Sequence, residues 1–349
     1  IEAHSHTVLG GILLNLPIIS SFSMTRPDGS DFPGVKNAPQ ALALIKQYAE
    51  KFNNPDKTLI IWGWDIVMMG GYHLDKEILN QLSPQQPIIV WDSSEHHFFA
   101  NDTAMKLAKL TKDDLKITGI KSINGEFTGQ FSGPIAGRRI LANLTPELLR
   151  PEYVLPRMKS LLELSSRNGI TTSSEQAMGI FSLSHELELF KQLSADYDQA
   201  RVVIVPFSTA VLEQQKTVKN SIAWVKQLEK SSNERLIFKG IKFYHDDSFL
   251  SLSMMEPQYL DGRKGLYIIQ PEALYDVLAP WWQQDVTIHI HTNGTSANVS
   301  LVNTLAKLQR DTPKFEPKFI VEHFGMTTPA IIERLAALKG MASVNPYYL

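Results

Sequence analysis

The residues best suited to chemistry are histidines, ten of them in 349 residues, and their placement is uneven. His4 and His6 stand two apart in Ile-Glu-Ala-His-Ser-His. In an extended segment that spacing points both imidazoles to one face, within reach of one ion. His291 closes the run Val-Thr-Ile-His-Ile-His, and His323 closes Lys-Phe-Ile-Val-Glu-His. Lys242 lies near the end of the run Leu236 to Tyr244. Neutral imidazole is a common ligand of Zn²⁺, Fe²⁺, Ni²⁺ and Co²⁺. A bound divalent ion lowers the pKa of its water to about 7 and polarises a carbonyl, which is the chemistry of hydrolysis. A lysine joins such a site only uncharged, or as a carbamate formed with CO₂, because its ammonium repels a cation. His289 shares a face with His291, two residues deeper, and reads as packing or as support for a ligand. His73, His185 and His245 read as structural or exposed.

These residues need elements to hold them. Short runs rich in β-branched and aromatic residues begin at Ile1 and recur at Thr58 to Trp62, Pro87 to Trp91, Gly169 to Ser173 and Arg201 to Pro206. They continue at Leu236 to Tyr244, Val286 to His291, Lys318 to His323 and Met341 to Val344. Such runs bounded by turn residues predict strands. Helical periodicity covers Pro39 to Phe52, Pro156 to Arg167, Ala210 to Lys230, Pro271 to Gln283, Ser296 to Gln309 and Pro329 to Leu338. Prolines near these starts cost no helical hydrogen bond. Alternating strands and helices predict an α/β fold of parallel strands. The expectation is a (β/α) TIM-type barrel, where strand C-termini converge on one face and carry the active site. Residues 1–20 supply the first strand and its loop, 21–155 a large α/β insertion holding two strands, and 156–349 strands two to seven.

Composition sets bounds. The chain is 43% hydrophobic, enough for a full-sized core, and its net charge of −2 gives no reason to expect nucleic acid or an anionic membrane as partner. No apolar stretch approaches the roughly 20 residues that span a bilayer. Without cysteine there is neither a disulfide framework nor a thiolate-ligated metal. A cytoplasmic protein acting on a small-molecule substrate is expected, with a homodimer as an open assembly.

The opening Ile-Glu-Ala-His-Ser-His-Thr, the element Lys-Gly-Ile-Lys-Phe-Tyr-His-Asp-Asp-Ser, the His-Thr-Asn-Gly after one strand and the Val-Glu-His-Phe-Gly after the next resemble the amidohydrolase superfamily. More narrowly they resemble its amidohydrolase-3 branch, with the YtcJ-like proteins and N-substituted formamide deformylases. The resemblance extends to Trp62-Gly-Trp64-Asp65, the segment Trp91 to Asn101, and Phe127-Thr-Gly129. It implies hydrolysis of a C–N bond in an amide, cyclic amide or N-substituted formamide. It implies one or two divalent ions, zinc first, with iron, nickel, cobalt or manganese as alternatives. His4 and His6 match the strand-one ligands, Lys242 the strand-four lysine that is carboxylated in many relatives, and His291 and His323 the ligands of strands five and six. His96 matches a histidine near the substrate and is a catalytic candidate, and Trp64, Asp92 and His97 are candidate substrate-binding residues. Deamination, phosphoester hydrolysis and binding without turnover are the rival readings. Arg138 and Arg139 are the cations a phosphoester would need, though a solvated loop explains them as well.

Three departures qualify the match. Asp246 is followed by Asp247 where relatives carry Asp-Gly, and Thr295 stands where Asp is frequent. The chain also stops at Leu349, past what reads as strand seven. The strand-eight Asp that serves relatives as general base has no counterpart, nor has their β-sandwich. A barrel-containing fragment or an abbreviated relative is therefore expected, with Asp246 or Asp247 as stand-in for the base.

Overall fold

The computed structural model describes residues 1–26, 29–197, 200–248, 253–260, 262 and 264–344. They form two compact units. One comprises residues 1–11 and the described residues beyond Arg150 apart from Ser253; the other comprises 12–150 with Ser253. The second unit therefore begins earlier than the insertion read as 21–155.

The first unit holds two parallel four-stranded sheets. One has the order Glu2–Ser5, Thr172–Met178, Arg201–Pro206, Leu236–Phe238; the other has the order Ile241–Tyr244, Ile288–Thr292, Phe319–His323, Met341–Val344. A parallel bridge between Phe207 and Lys242 links them. A (β/α) TIM-type barrel incomplete at its C-terminus was expected, and among the described residues the two sheets do not close into a barrel. Closure requires two neighbours for every strand, and among the described residues Glu2–Ser5 and Met341–Val344 pair on one side only.

The run expected as one strand from Leu236 to Tyr244 is broken at Gly240. Its φ is +71°, and a β-carbon there would meet the carbonyl oxygen of Thr287 at 2.4 Å, so only glycine fits. The helix expected over Ala210 to Lys230 is two helices, Ser208–Gln215 and Val218–Lys230. Lys216 between them is left-handed (φ +67°), and Thr217 caps the second by accepting the Asn220 N–H. Pro156 lies inside the helix Pro151–Arg167 rather than at its start.

Where two strands were expected, the described residues of the second unit carry a short pair, Met24–Thr25 with Asp31–Phe32, and a five-stranded sheet in the order Leu59–Trp64, Ile88–Asp92, His97–Ala100, Glu126–Ser132, Ile120–Ile123. In that sheet the first two strands are parallel and the other pairings antiparallel. Ile120–Ile123 and Glu126–Ser132 escaped the pattern because outer residues such as Lys121 and Glu126 break up their apolar runs. The helix Ala38–Phe52 starts at Asn37, whose side chain accepts the Gln40 N–H, and buries Ala41, Ile45 and Ala49. These pack with Ile61, Trp64, Val90 and Phe99 in one apolar core. Each fully buried aliphatic side chain of this kind contributes about 1.5–3 kcal/mol. No helix among the described residues is long and apolar enough to cross a membrane.

Candidate metal centre

Within the first unit, three strands deliver four histidines to one cluster. Ring centroids lie 5.1 Å apart for His6 and His4, 4.4 Å for His4 and His323, and 4.5 Å for His323 and His291. Register explains part of this. Lys242 stands opposite His289, Tyr244 opposite His291, and His291 opposite Glu322. With side chains alternating along each strand, these residues share a face. Tyr244 stacks on His291 at 4.9 Å.

His323 should then point away, being the neighbour of Glu322. It does not, because its φ is +71° and that of Phe324 is +51°. Two successive left-handed residues turn the chain so that Glu322 and His323 both reach His4. Such conformations cost non-glycine residues about 1 kcal/mol or more each and persist only where their surroundings impose them. Here the Phe324 N–H donates to Thr292 O at 3.0 Å.

Lys242 is buried, and its Nζ has no hydrogen-bond partner. Burial lowers its pKa to about 8, against the opposing charge of Glu322. His4 is lowered to about 3, by burial first and by Lys242 second. It is therefore a neutral imidazole, the form that binds metal. Glu322 was not anticipated. Its oxygens stand 2.8 Å from His4 Nδ1 and 2.7 Å from His289 Nδ1. Burial pushes its carboxyl up, but Lys242 and the two imidazole hydrogen bonds hold it well below the usual carboxylate range. Its signal in the sequence was a charge within an otherwise apolar strand, on the inward face by alternation. Glu175, also unanticipated, is buried, lies 3.8 Å from His6 Nδ1 and accepts the Thr7 N–H.

Asp246, expected as the stand-in base, is otherwise engaged. It accepts N–H donors from Met255 (3.0 Å), Asn293 (2.8 Å) and Gly294 (2.9 Å). Burial still raises its pKa to about 7. Gly294 approaches so closely that a β-carbon would meet Met255 O at 2.3 Å. Asn293, held here, donates its Nδ2 to His291 Nε2 at 3.0 Å. Thr295 donates its hydroxyl to Met326 O at 3.2 Å.

The structure thus gathers His4, His6, Lys242, His291 and His323. Trp64, Asp92, His96 and His97 belong to the second unit. Trp64 is fully buried in its core and donates Nε1–H to Tyr72 O at 3.0 Å. Asp92 accepts from Ser94 Oγ at 2.7 Å and from His97 N at 3.0 Å. His97 Nε2 lies 2.9 Å from Ser253 Oγ, and the His96 N–H donates to Ser94 Oγ at 3.3 Å. Arg139 is bound to Asp114 at 2.6 and 2.9 Å and to the carbonyls of Ala108 and Lys109.

The donor set fits a divalent cation in kind: clustered imidazoles, one of them held neutral by burial, around a buried lysine with an unpartnered nitrogen. The side chains are not drawn into a closed shell, and among the described residues no three His, Asp or Glu groups have the geometry to hold an ion.

Comparison with known proteins follows the same line. A family model described as "Amidohydrolase family" matches residues 2–349. Protein LONG AFTER FAR-RED 3 of Arabidopsis thaliana is 23% identical over 372 residues, covering 100% of this chain and 58% of that protein. A crystal structure of an uncharacterized metal-dependent hydrolase from Pyrococcus horikoshii superposes with a TM-score of 0.61 at 16% identity, over 99% of this chain and 62% of that one. One from Pyrococcus furiosus gives 0.59 at 15%, over 100% and 64%. The chain therefore spans about three fifths of the length of the relatives it matches.

Proposed function

The chain belongs to the amidohydrolase family, and from that premise we propose that it carries the metal centre of a hydrolase acting on a C–N bond. Its substrate would be an amide, a cyclic amide or an N-substituted formamide. His4, His6, His291 and His323 would hold one or two divalent ions, zinc first, with Lys242 joining as a neutral amine or a carbamate. The likeness to the two Pyrococcus proteins, each described as a metal-dependent hydrolase, supports this reading. When bound, the ion would supply an activated water and polarise the carbonyl that the water attacks.

The observation that carries the reading is the buried Lys242 Nζ, without a hydrogen-bond partner and on the face shared by His289, His291 and Glu322. Burying an ammonium without a hydrogen-bond partner is costly, and titratable groups so displaced cluster where chemistry uses them. Asp246 serves in this reading as a clamp. It accepts the backbone N–H of Asn293, whose Nδ2 in turn holds His291. Phosphoester hydrolysis is disfavoured, because the Arg139 guanidinium is committed to Asp114 and two carbonyls.

The metal-loaded protein should hydrolyse members of a panel of formamides and cyclic amides, and His291→Ala should abolish turnover. Full activity in that variant rules the mechanism out. A melting temperature indifferent to chelator, with no turnover, favours the binding-only reading.

A further inference from the structure

Glu322 occupies a position that neither the histidine pattern nor the fold required. It is fully buried, and each oxygen meets a different imidazole, in each case at Nδ1: His4 at 2.8 Å and His289 at 2.7 Å. An ionised carboxylate only accepts hydrogen bonds, so both imidazoles must present Nδ1–H to it. A neutral imidazole protonated at Nδ1 carries its lone pair at Nε2, across the ring. For His4, that nitrogen lies on the side of the ring away from Glu322, and the rings of His6 and His323 adjoin His4 at 5.1 and 4.4 Å.

We propose that Glu322 is a positioning residue. It fixes the tautomer and tilt of His4 so that Nε2 faces the neighbouring imidazoles, and His289 anchors it from below. Both oxygens are occupied and shielded from solvent, so Glu322 does not shuttle protons. His289, which the sequence suggested only as packing or support, is the second half of the device. Its Nδ1–H holds the other oxygen and stops the carboxylate from rotating away from His4. The left-handed backbone at His323 serves the same arrangement, since without it Glu322 and His323 could not both reach His4. The consequence for an ion rests on the metal-centre reading above, whereas the tautomer of His4 does not.

Two measurements on the full chain separate the two. In metal-free protein labelled with ¹⁵N-histidine, with His4 assigned by comparison with His4→Gln, the wild type should show His4 as the Nδ1–H tautomer. In Glu322→Gln, whose amide can accept from one ring only, that signal should move towards a tautomer mixture. Zinc affinity, by competition with a chromophoric chelator, should fall about 10- to 100-fold in Glu322→Gln, the range expected when a ligand loses its orienting partner. His289→Gln keeps a donor for Glu322 and should retain the His4 tautomer with a smaller loss of affinity. It also covers the case in which Glu322→Gln does not fold. An Nε2–H tautomer of His4 in the wild type overturns the proposal, and so does a folded Glu322→Gln with unchanged spectrum and affinity. If the wild type binds no zinc while the His4 signal behaves as expected, the metal reading fails and the role of Glu322 stands.

Discussion

Asn101 in the second unit and Lys242 in the first are equally hidden from water, and the fold treats them in opposite ways. Asn101 Oδ1 accepts from the N–H groups of Ile88 and Ala104, both at 3.0 Å, and its Nδ2 donates to Ser83 O at 3.1 Å and Gln86 O at 2.8 Å. Lys242 Nζ has no such partner. The rest of each unit follows suit. The second buries Ile61, Trp64, Val90 and Phe99 around its sheet, whereas the first gives its inward face to His4, Lys242, His291 and Glu322. A polar group saturated with hydrogen bonds reports on folding. One buried and left unsatisfied, among groups with displaced pKa values, reports on function.

The sharpest way to break that contrast is to delete both groups. Asn101→Ala leaves several buried backbone groups unpaired and should cost roughly 3–5 kcal/mol, read from urea unfolding. His245 is the first unit's own saturated polar residue, with Nδ1 bonded to Ile269 O and Nε2 to Ser300 Oγ. Burial lowers its pKa from 6.5 to about 4. Below pH 6.5 the unfolded chain takes up a proton that the folded chain refuses. Its stabilising effect is therefore complete above pH 6.5 and fades as the pH falls towards 4, by roughly 3 kcal/mol in all. His245→Gln should be less stable than wild type at pH 7 and should lose less on acidification, and parallel urea midpoints for the two would contradict this. Lys242→Met should change stability by less than about 2 kcal/mol in either direction, since it removes a desolvated charge together with its attraction to Glu322. The same change should eliminate turnover. Arg139→Lys sacrifices a two-pronged grip on Asp114 and should cost about 1 kcal/mol, visible as a small shift in melting temperature.

Much of the site was legible in the sequence because strand ends announce themselves. An apolar run finishing in histidine places that histidine at the rim of a parallel sheet, and His4, His6, His291 and His323 meet within one cluster. What stayed hidden depended on backbone geometry or on distant register. Periodicity assigns Glu322 and His323 to opposite faces, and only the left-handed turn at His323 reconciles them. The occupation of Asp246 by the N–H groups of Met255, Asn293 and Gly294 follows from loop packing that no spacing encodes. Alternation of strands and helices dictates the parallel pairing that both sheets of the first unit show, but not whether their strands join in one barrel. Among the extra antiparallel strands of the second unit, Ile120–Ile123 lacks the apolar run that reveals a buried strand, being exposed at three of its four residues.

On the proposed reading, the clustered imidazoles of the first unit bind a divalent ion. Titration of the full chain with Co²⁺ at neutral pH, followed by visible absorption and reversed by zinc, tests it directly. A saturable band at one or two equivalents is expected, removed by chelator and lost in His291→Ala. A wild-type protein that develops no band at millimolar cobalt, or a band unchanged in His291→Ala, would contradict it.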